Sequence, residues 1–230
     1  MTNASTRAAM GASQDVAWLP RGLLRELRTD HAGETGAVMI YRGVLAVTRD
    51  EELRAFARHH LEAESRHLQL IEQVLPPGSR SRLLPLWRLS GWLTGALPAL
   101  FGARAVYATI ESVETFVDRH YAAQLAVIDD WLSADDQRRL ADARRRALAG
   151  SDDASGRFED EPGFEYVSGF ENRSALVRLR ALLERCRLDE VAHREDAHAR
   201  WERRPGRWLS AWRLAVGIGS DAAVRVCRRI

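Results

Sequence analysis

The chain has 230 residues, with 34 basic and 32 acidic side chains, a formal net charge of +2 and 46% hydrophobic residues. This length suits one domain with a buried core, and the composition excludes a disordered chain, a collagen-like chain and a disulfide-stapled miniprotein. The nearly balanced charge gives no reason to expect nucleic acid as a partner. The two cysteines, Cys186 and Cys227, lack a metal-binding spacing and form at most one bridge, which favours a reducing compartment.

The first residues are predicted to be a flexible leader that lies outside the fold. Residues 1–20 are mostly small and polar, and they lack the apolar segment of a secretory signal. A short transit peptide is the alternative, because the segment is poor in acids and contains Arg7. Residues 21–230 are then expected to form one domain.

A hydrophobic period of 3.6 residues dominates this domain and predicts an all-α fold. The pattern indicates long helices at about 21–48, 50–75, 102–130 and 174–203, a charged helix at 134–149 and a final amphipathic helix at 207–228. A broken apolar segment covers 83–100, and its longest uncharged run is too short to cross a bilayer. Residues 150–173 are rich in glycine and acids, have no period and are predicted to be an acidic loop insertion.

Each of the four long helices carries one glutamate on a face that is otherwise mostly apolar or aromatic. Apolar residues recur around each glutamate at steps of three and four, which places it on the buried side of its helix. The four are Glu34, Glu64, Glu114 and Glu190. Two of them begin a Glu-x-x-His motif, which puts His67 and His193 one turn further along the same faces.

These six residues together predict a site for two metal ions. An unpaired carboxylate in a core costs several kcal/mol, so four of them need a matching positive charge, which two divalent ions supply. Four glutamates and two Glu-x-x-His imidazoles are the ligand plan of a carboxylate-bridged di-iron or di-manganese bundle. Mixed nitrogen and oxygen ligands favour these metals over magnesium or calcium, and zinc would use fewer ligands. A solvated helix face is the alternative, but it does not explain two copies of the motif.

Several residues near the predicted ligands have two interpretations. Glu111 lies one turn before Glu114 and is the alternative ligand, although it is off the centre of the apolar stripe. Asp189 either accepts a hydrogen bond from a ligand imidazole or is a surface acid. Three more residues on the ligand-bearing faces either support the ligands from outside or are satisfied core residues: His31, His60 and Tyr121.

The sequence around these ligands resembles the Coq7 family of demethoxyubiquinone hydroxylases, membrane-associated members of the ferritin-like superfamily. The matching stretches are Asp30-His31-Ala32-Gly33-Glu34-Thr35-Gly36-Ala37, Glu64-Ser65-Arg66-His67, Val113-Glu114-Thr115 with His120-Tyr121, and Asp189-Glu190-Val191-Ala192-His193. The resemblance implies a ferritin-like four-helix bundle with additional membrane-interfacial helices and a centre of two iron ions. It implies terminal ligands at Glu34 and Glu114, bridging carboxylates at Glu64 and Glu190, and imidazole ligands at His67 and His193.

The resemblance also implies an activity, the O2-dependent hydroxylation of the ring of a polyprenylated demethoxybenzoquinol in ubiquinone biosynthesis. Two reducing equivalents come from NADH or from the quinol substrate, and the chain has no nucleotide-binding fingerprint. The alternatives are a hydroxylase of another lipid or aromatic substrate, a protein of iron oxidation or redox sensing, and a non-catalytic membrane scaffold. The insertion at 150–173 is longer than the family's usual linker and is interpreted as a lid, a docking loop or a specificity element.

A polyprenyl substrate makes the lipid surface an expected partner. In the final helix, arginines flank a face formed by Trp208, Trp212, Ala215, Val216, Gly219, Ala222, Ala223 and Val226. This face and the segment at 83–101 are predicted to lie in the headgroup region, and the alternative is that both cap the bundle or form a dimer interface. We expect a peripheral protein on the cytoplasmic face of the bacterial inner membrane, or on the mitochondrial inner membrane in a eukaryote. Other ubiquinone-biosynthesis proteins or a second copy are the expected protein partners.

Overall fold

The described part of the chain folds into six α-helices and contains no strand, which confirms the all-α prediction. The structure is a computed structural model, and it describes residues 19–149, 169–201 and 206–229. The helices are α1 (Arg21–Val47), α2 (Glu51–Val74), α3 (Leu84–Ala99), α4 (Ala103–Ala149), α5 (Gly169–Ala199) and α6 (Arg207–Cys227), with a short 3-10 turn at Pro77–Ser79. The predicted leader up to residue 18 and residues 150–168 of the predicted loop lie outside the described residues.

Helices α1, α2, α4 and α5 form a four-helix bundle from two packed pairs. Helix α1 packs along α2, and α4 packs along α5, while the backbones of the two pairs approach each other less closely. This separation leaves room for side chains between the pairs. Helix α3 packs along α1, and α6 packs mainly on α4, so both cover the same side of the bundle.

Two predicted boundaries in the second half are wrong, because helix continues through both. The predicted break between 130 and 134 is absent, since α4 runs without interruption from Ala103 to Ala149. No proline or glycine lies there, and Trp131 and Leu132 pack against the core. Helix α5 begins at Gly169, inside the predicted loop, and Arg173 near its start forms an ion pair with Asp136 of α4 at 2.5 Å.

The apolar segment at 83–100 is also more regular than predicted. It forms one continuous helix. Pro85 lies in the first turn, where its missing N–H has no helical partner, and Pro98 removes one hydrogen bond only in the last turn. Within the described ranges, no helix is long and apolar enough to span a membrane.

The face of α6 that was predicted to contact lipid lies partly against the protein and is partly exposed. The Trp212 indole donates a hydrogen bond to the Thr109 hydroxyl of α4 at 2.8 Å, and Val216 and Gly219 line an internal cavity. Two large apolar residues of the same face, Trp208 and Val226, are exposed, and so are Leu214 and Ile218 at other positions of α6. The periodicity identified an apolar face correctly but not which surface covers it.

The buried apolar residues form two clusters, one at each end of the bundle. One cluster includes Tyr41, Phe56 and Ile110, and the other includes Leu27, Ile71 and Leu183. Each predicted ligand glutamate lies between the two clusters along its helix. The middle of the bundle is therefore a polar layer enclosed by two apolar ones.

Helix α3 lies directly against the backbone of α1, and glycines make this approach possible. A Cβ atom on Gly95 would lie 1.9 Å from the Ile40 carbonyl oxygen, and one on Gly43 would lie 2.2 Å from the Trp92 carbonyl oxygen. These neighbours are backbone atoms, which cannot turn aside as a flexible side chain would. The contact therefore needs glycine on both helices.

We predict that Gly43→Ala lowers the free energy of unfolding by about 1–3 kcal/mol, because the added methyl group forces α1 and α3 apart. Gly22→Ala on the same helix is the matched control, since nothing lies within 4 Å of its Cβ position. The control is expected to leave stability unchanged or to raise it by up to about 1 kcal/mol. Urea unfolding followed by circular dichroism measures both, and equal effects would contradict the close packing.

Candidate metal centre

The structure brings the six predicted ligands together in the polar layer of the bundle. Two overlapping groups of side chains have ligand atoms within 4.8 Å of one another. One group is Glu34, Glu64, His67 and Glu190, and the other is Glu64, Glu114, Glu190 and His193. Each group has three carboxylates and one imidazole, which is the composition of one half of a two-ion centre.

Glu64 and Glu190 belong to both groups, and each presents one oxygen to each imidazole. Glu64 Oε2 lies 3.6 Å from His67 Nδ1, while its Oε1 lies 2.9 Å from His193 Nδ1. Glu190 Oε1 lies 3.1 Å from His67 Nδ1, and its Oε2 lies 3.4 Å from His193 Nδ1. Glu64 and Glu190 therefore each face both imidazoles, and Glu34 and Glu114 lie at the two outer positions.

The buried atoms of this cluster fit a pair of cations. All six side chains belong to buried residues. Five of their atoms have no hydrogen-bond partner: Glu34 Oε2, Glu64 Oε1, Glu64 Oε2, Glu190 Oε2 and His193 Nδ1. Buried polar atoms are rarely left unpaired, so orphaned donor atoms that converge on one point indicate a missing electropositive partner. Oxygen and imidazole donors of this kind suit iron or manganese.

The pKa values in the cluster show how strongly these groups are coupled. Burial, together with the charges of Glu190 and Glu64, raises the pKa of Glu34 and of Glu114 well above the usual range. Burial would also raise the pKa of Glu64, but the imidazoles of His193 and His67 that face it lower this pKa to about 2. Burial disfavours the charged imidazoles, yet the facing carboxylates raise the pKa of His67 and bring that of His193 to about 9. The site therefore holds protons where a metal ion would supply charge.

Two tyrosines contact the outer glutamates, and each comes from the helix of the opposite glutamate. The Tyr121 hydroxyl of α4 donates to Glu34 Oε1 of α1 at 2.5 Å, and the Tyr41 hydroxyl of α1 donates to Glu114 Oε1 of α4 at 3.5 Å. Tyr121 therefore supports a predicted ligand directly. Tyr41 was not singled out from the sequence, although each tyrosine follows the glutamate of its own helix by the same seven positions.

The other residues with two interpretations now have defined contacts. Asp189 Oδ2 lies 2.9 Å from His67 Nε2, so it supports that imidazole although its side chain is half exposed. His60 packs edge-on against His193 and its Nε2 lies 2.9 Å from Asp196. His31 faces outward from the cluster to Glu72, at 3.3 Å.

Glu111 points away from the cluster and is engaged elsewhere. It accepts a hydrogen bond from the Trp201 indole at 2.7 Å and forms an ion pair with Arg213 at 3.4 Å. The buried position one turn later belongs to Glu114. The structure thus places Glu114, and not Glu111, among the six.

A second buried polar group lies next to the cluster and was not predicted. Asp30 Oδ1 accepts a hydrogen bond from the Gln124 amide at 2.6 Å and lies 3.1 Å from His120 Nε2. The other Asp30 oxygen is buried without a partner. A signal was available, since Asp30 lies on α1 one turn before Glu34, at the spacing that shares a face.

A cavity of about 380 Å3 extends from the cluster to α3 and α6. Its inner wall includes the four cluster glutamates, and its outer wall includes Trp87 and Gly91 of α3 and Val216 and Gly219 of α6. Most of the lining is apolar, and Asp30 and His120 are among its polar members. An apolar organic molecule of moderate size therefore fits beside the cluster.

Comparison with known proteins gives a family match over most of the chain. The sequence model of the family described as "Ubiquinone biosynthesis protein COQ7" matches residues 21–227. This match includes all six predicted ligands and all six helices.

Individual relatives match over shorter segments. The chain is 39% identical over 109 residues to the 3-demethoxyubiquinol 3-hydroxylase of Rhodospirillum rubrum, covering 46% of this chain and 51% of the relative. It is 36% identical over 131 residues to the protein of the same name from Paracidovorax citrulli, covering 51% and 63%. The mitochondrial NADPH-dependent 3-demethoxyubiquinone 3-hydroxylase of Dictyostelium discoideum is 36% identical over 109 residues, covering 46% and 50%. The chain thus spans about half the length of the curated relatives it matches.

We predict that binding of Fe(II) to the cluster releases at least two protons per chain at pH 7, because both imidazoles hold protons there and must lose them to bind metal. Affinity should therefore fall as the pH is lowered from 8 to 6. Anaerobic titration of the weakly buffered chain with a pH-indicator dye measures the release. Iron uptake without proton release would contradict the ligand assignment.

Proposed function

The chain belongs to the COQ7 family, and from that premise we propose that it hydroxylates the ring of a polyprenylated demethoxybenzoquinol in ubiquinone biosynthesis. The observation that carries the proposal is the buried cluster of four glutamates and two histidines that opens onto an apolar cavity. Curated relatives are named as hydroxylases of this type. O2 is the proposed oxidant, and two reducing equivalents come from the quinol or from a nicotinamide nucleotide.

We propose that two iron ions bind at the cluster, with Glu64 and Glu190 as bridges and the remaining four side chains as outer ligands. Iron held by these residues would pass electrons from the reductant to O2 and so activate it for attack on an aromatic ring. The protein contributes the fixed spacing of the ligands. Tyr121 orients Glu34 through its short hydrogen bond, which leaves the second oxygen of Glu34 free for the ion.

The cavity gives the substrate ring a defined place beside the outer glutamates. Its apolar walls exclude water, which protects a reactive centre from side reactions. Asp30 and His120 are polar groups in that wall, and their hydrogen-bonding atoms are proposed to meet the oxygen substituents of the ring. A protein that only stores or oxidises iron has no need of such a cavity, so this feature favours the hydroxylase over the iron-handling alternative.

We further propose that the protein binds the membrane surface through α3 and α6. Among the described residues, ten of the thirteen exposed large apolar side chains lie on these two helices or in the turn after α3. The ring centroids of Phe101, in the turn after α3, and Trp208 of α6 are 4.9 Å apart, so exposed apolar side chains from the two helices meet at this point. Exposed arginines beside it, including Arg88 and Arg225, suit phosphate headgroups. A polyprenyl chain would then enter the cavity from the lipid, at the inner face of the bacterial or mitochondrial inner membrane.

We predict that the chain restores ubiquinone in a bacterial host that lacks its own demethoxyubiquinone hydroxylase, as measured by mass spectrometry of membrane quinones. Glu114→Gln removes one outer ligand charge and is expected to leave the demethoxy precursor in place. Glu111→Gln, one turn away on the same helix, is the matched control and is expected to restore ubiquinone. Persistence of the precursor with the wild-type chain, when it is expressed and holds two irons, would overturn the substrate assignment.

We predict that Leu214→Glu combined with Ile218→Glu lowers binding to vesicles of phosphatidylethanolamine and phosphatidylglycerol by at least about tenfold. Each buried aliphatic side chain contributes about 1.5–3 kcal/mol to such binding. Val177→Glu combined with Leu188→Glu changes two exposed apolar residues of α5 and is expected to leave co-sedimentation unchanged. Equal losses in both pairs would contradict a surface formed by α3 and α6.

A further inference from the structure

The two halves of the metal centre have the same ligands but differ in the groups that hold those ligands from outside. Glu34 and Glu114 are equivalent positions, as are the two Glu-x-x-His motifs at Glu64 and Glu190. A comparison of equivalent positions therefore shows which contacts to the ligands occur in both halves and which occur in only one.

The first difference concerns the imidazoles. Asp189, directly before Glu190, lies 2.9 Å from Nε2 of His67 and fixes the orientation of that ring, whose Nδ1 faces the cluster. The equivalent residue before Glu64 is Ala63, which has no polar side chain. Within the described residues, the carboxylates in ion-pair range of His193 are Glu64 and Glu190, both at Nδ1, so no acid holds the far side of this ring.

The second difference concerns the outer glutamates, and again the Glu34–His67 half has the closer contact. Tyr121 holds Glu34 with a hydrogen bond of 2.5 Å, whereas its equivalent, Tyr41, lies 3.5 Å from Glu114, at the limit of a hydrogen bond. Glu34 and His67, the two ligands that are not shared with the other half, are therefore each contacted by a polar side chain outside the cluster. Neither ligand of the Glu114–His193 half is held as firmly.

We infer that the two ion positions are inequivalent: the Glu34–His67 half is preorganised and binds its ion tightly, and the Glu114–His193 half binds its ion more weakly. A carboxylate on the far nitrogen of a ligand imidazole fixes the ring and raises its basicity, and loss of such a partner costs about 10–100-fold in metal affinity. The weaker half is the position at which ligands can rearrange around an incoming molecule. Asp189 and Tyr121 act as positioning residues.

This inference rests on the proposed metal centre, and it is tested by binding rather than by turnover. The full-length chain is dialysed to equilibrium under nitrogen against graded concentrations of Mn(II), which has the charge and ligand preference of Fe(II) and is visible by electron paramagnetic resonance. Two binding steps at least about tenfold apart are expected, with the spectrum of an isolated ion at the first step and of a coupled pair at the second. A single step that takes up two equivalent ions would overturn the inference.

Variants assign the steps to the two halves. Asp189→Asn is expected to weaken the first step by about 10–100-fold and to leave the second unchanged, and Tyr121→Phe acts in the same direction. Tyr41→Phe is the matched comparison for Tyr121→Phe; it is expected to leave the first step unchanged and to weaken the second step by less than Tyr121→Phe weakens the first. Glu195→Gln, an exposed acid on the same helix as Asp189, controls for the loss of a charge.

Equal effects of Tyr41→Phe and Tyr121→Phe on the first step would overturn the inference, as would equal weakening of both steps by Asp189→Asn. His193→Gln is expected to abolish the second step alone. Loss of the first step instead would mean that the Glu114–His193 half binds more tightly, which would overturn the inference. Thermal unfolding identifies a variant that fails to fold, and the tyrosine pair then supplies the test without Asp189. A wild-type chain that binds no metal overturns the metal centre itself, whereas inactive protein with two distinct steps overturns only the substrate.

Discussion

Four carboxylates buried together repel one another, and each would lose its hydration energy without compensation. This constraint explains the arrangement around them. The paired histidines bring positive charge to Glu64 and Glu190, while burial keeps the pKa of Glu34 and of Glu114 high. The apolar clusters at both ends of the bundle stabilise the fold and allow the middle to hold this unfavourable layer. The apolar side chains that stabilise the fold thus lie at the two ends of the bundle, and the candidate metal ligands lie between them.

The close contact of α3 with α1 connects the fold to the proposed function. Because glycines let the two backbones touch, α3 covers the side of the bundle where Glu34 lies and closes the outer wall of the cavity. The same helix exposes Leu89 and Leu93 on its other side. One short helix therefore separates the cluster from the surface that is proposed to meet lipid, which keeps the path for a polyprenyl ring short.

The sequence predicted the six cluster residues because a charged residue inside an apolar stripe is a strong local signal. It also predicted ends at about 48 and 75 for the first two long helices, one residue from the observed ends at Val47 and Val74. It failed where the outcome depends on tertiary packing. An amphipathic pattern cannot tell whether a face of α6 meets lipid or the bundle, and the α1–α3 contact depends on two segments that are distant along the chain. Tyr41 was missed because an aromatic residue on an apolar helix face is usually a core residue. Only the structure shows that its hydroxyl contacts Glu114.

The bundle is built from two similar halves, and the cavity opens onto the glutamates of both halves. The cavity is lined by all four cluster glutamates but by neither His67 nor His193. Because α3 and α6 both cover the α1–α4 side, the cavity meets the cluster on the side of Glu34 and Glu114, while the imidazoles lie away from the cavity. Asp189 can support His67 from a half-exposed position there without obstructing the cavity. Asp189 and a substrate in the cavity would then act on the proposed ions from opposite sides, whereas Tyr121 lies in the cavity wall itself.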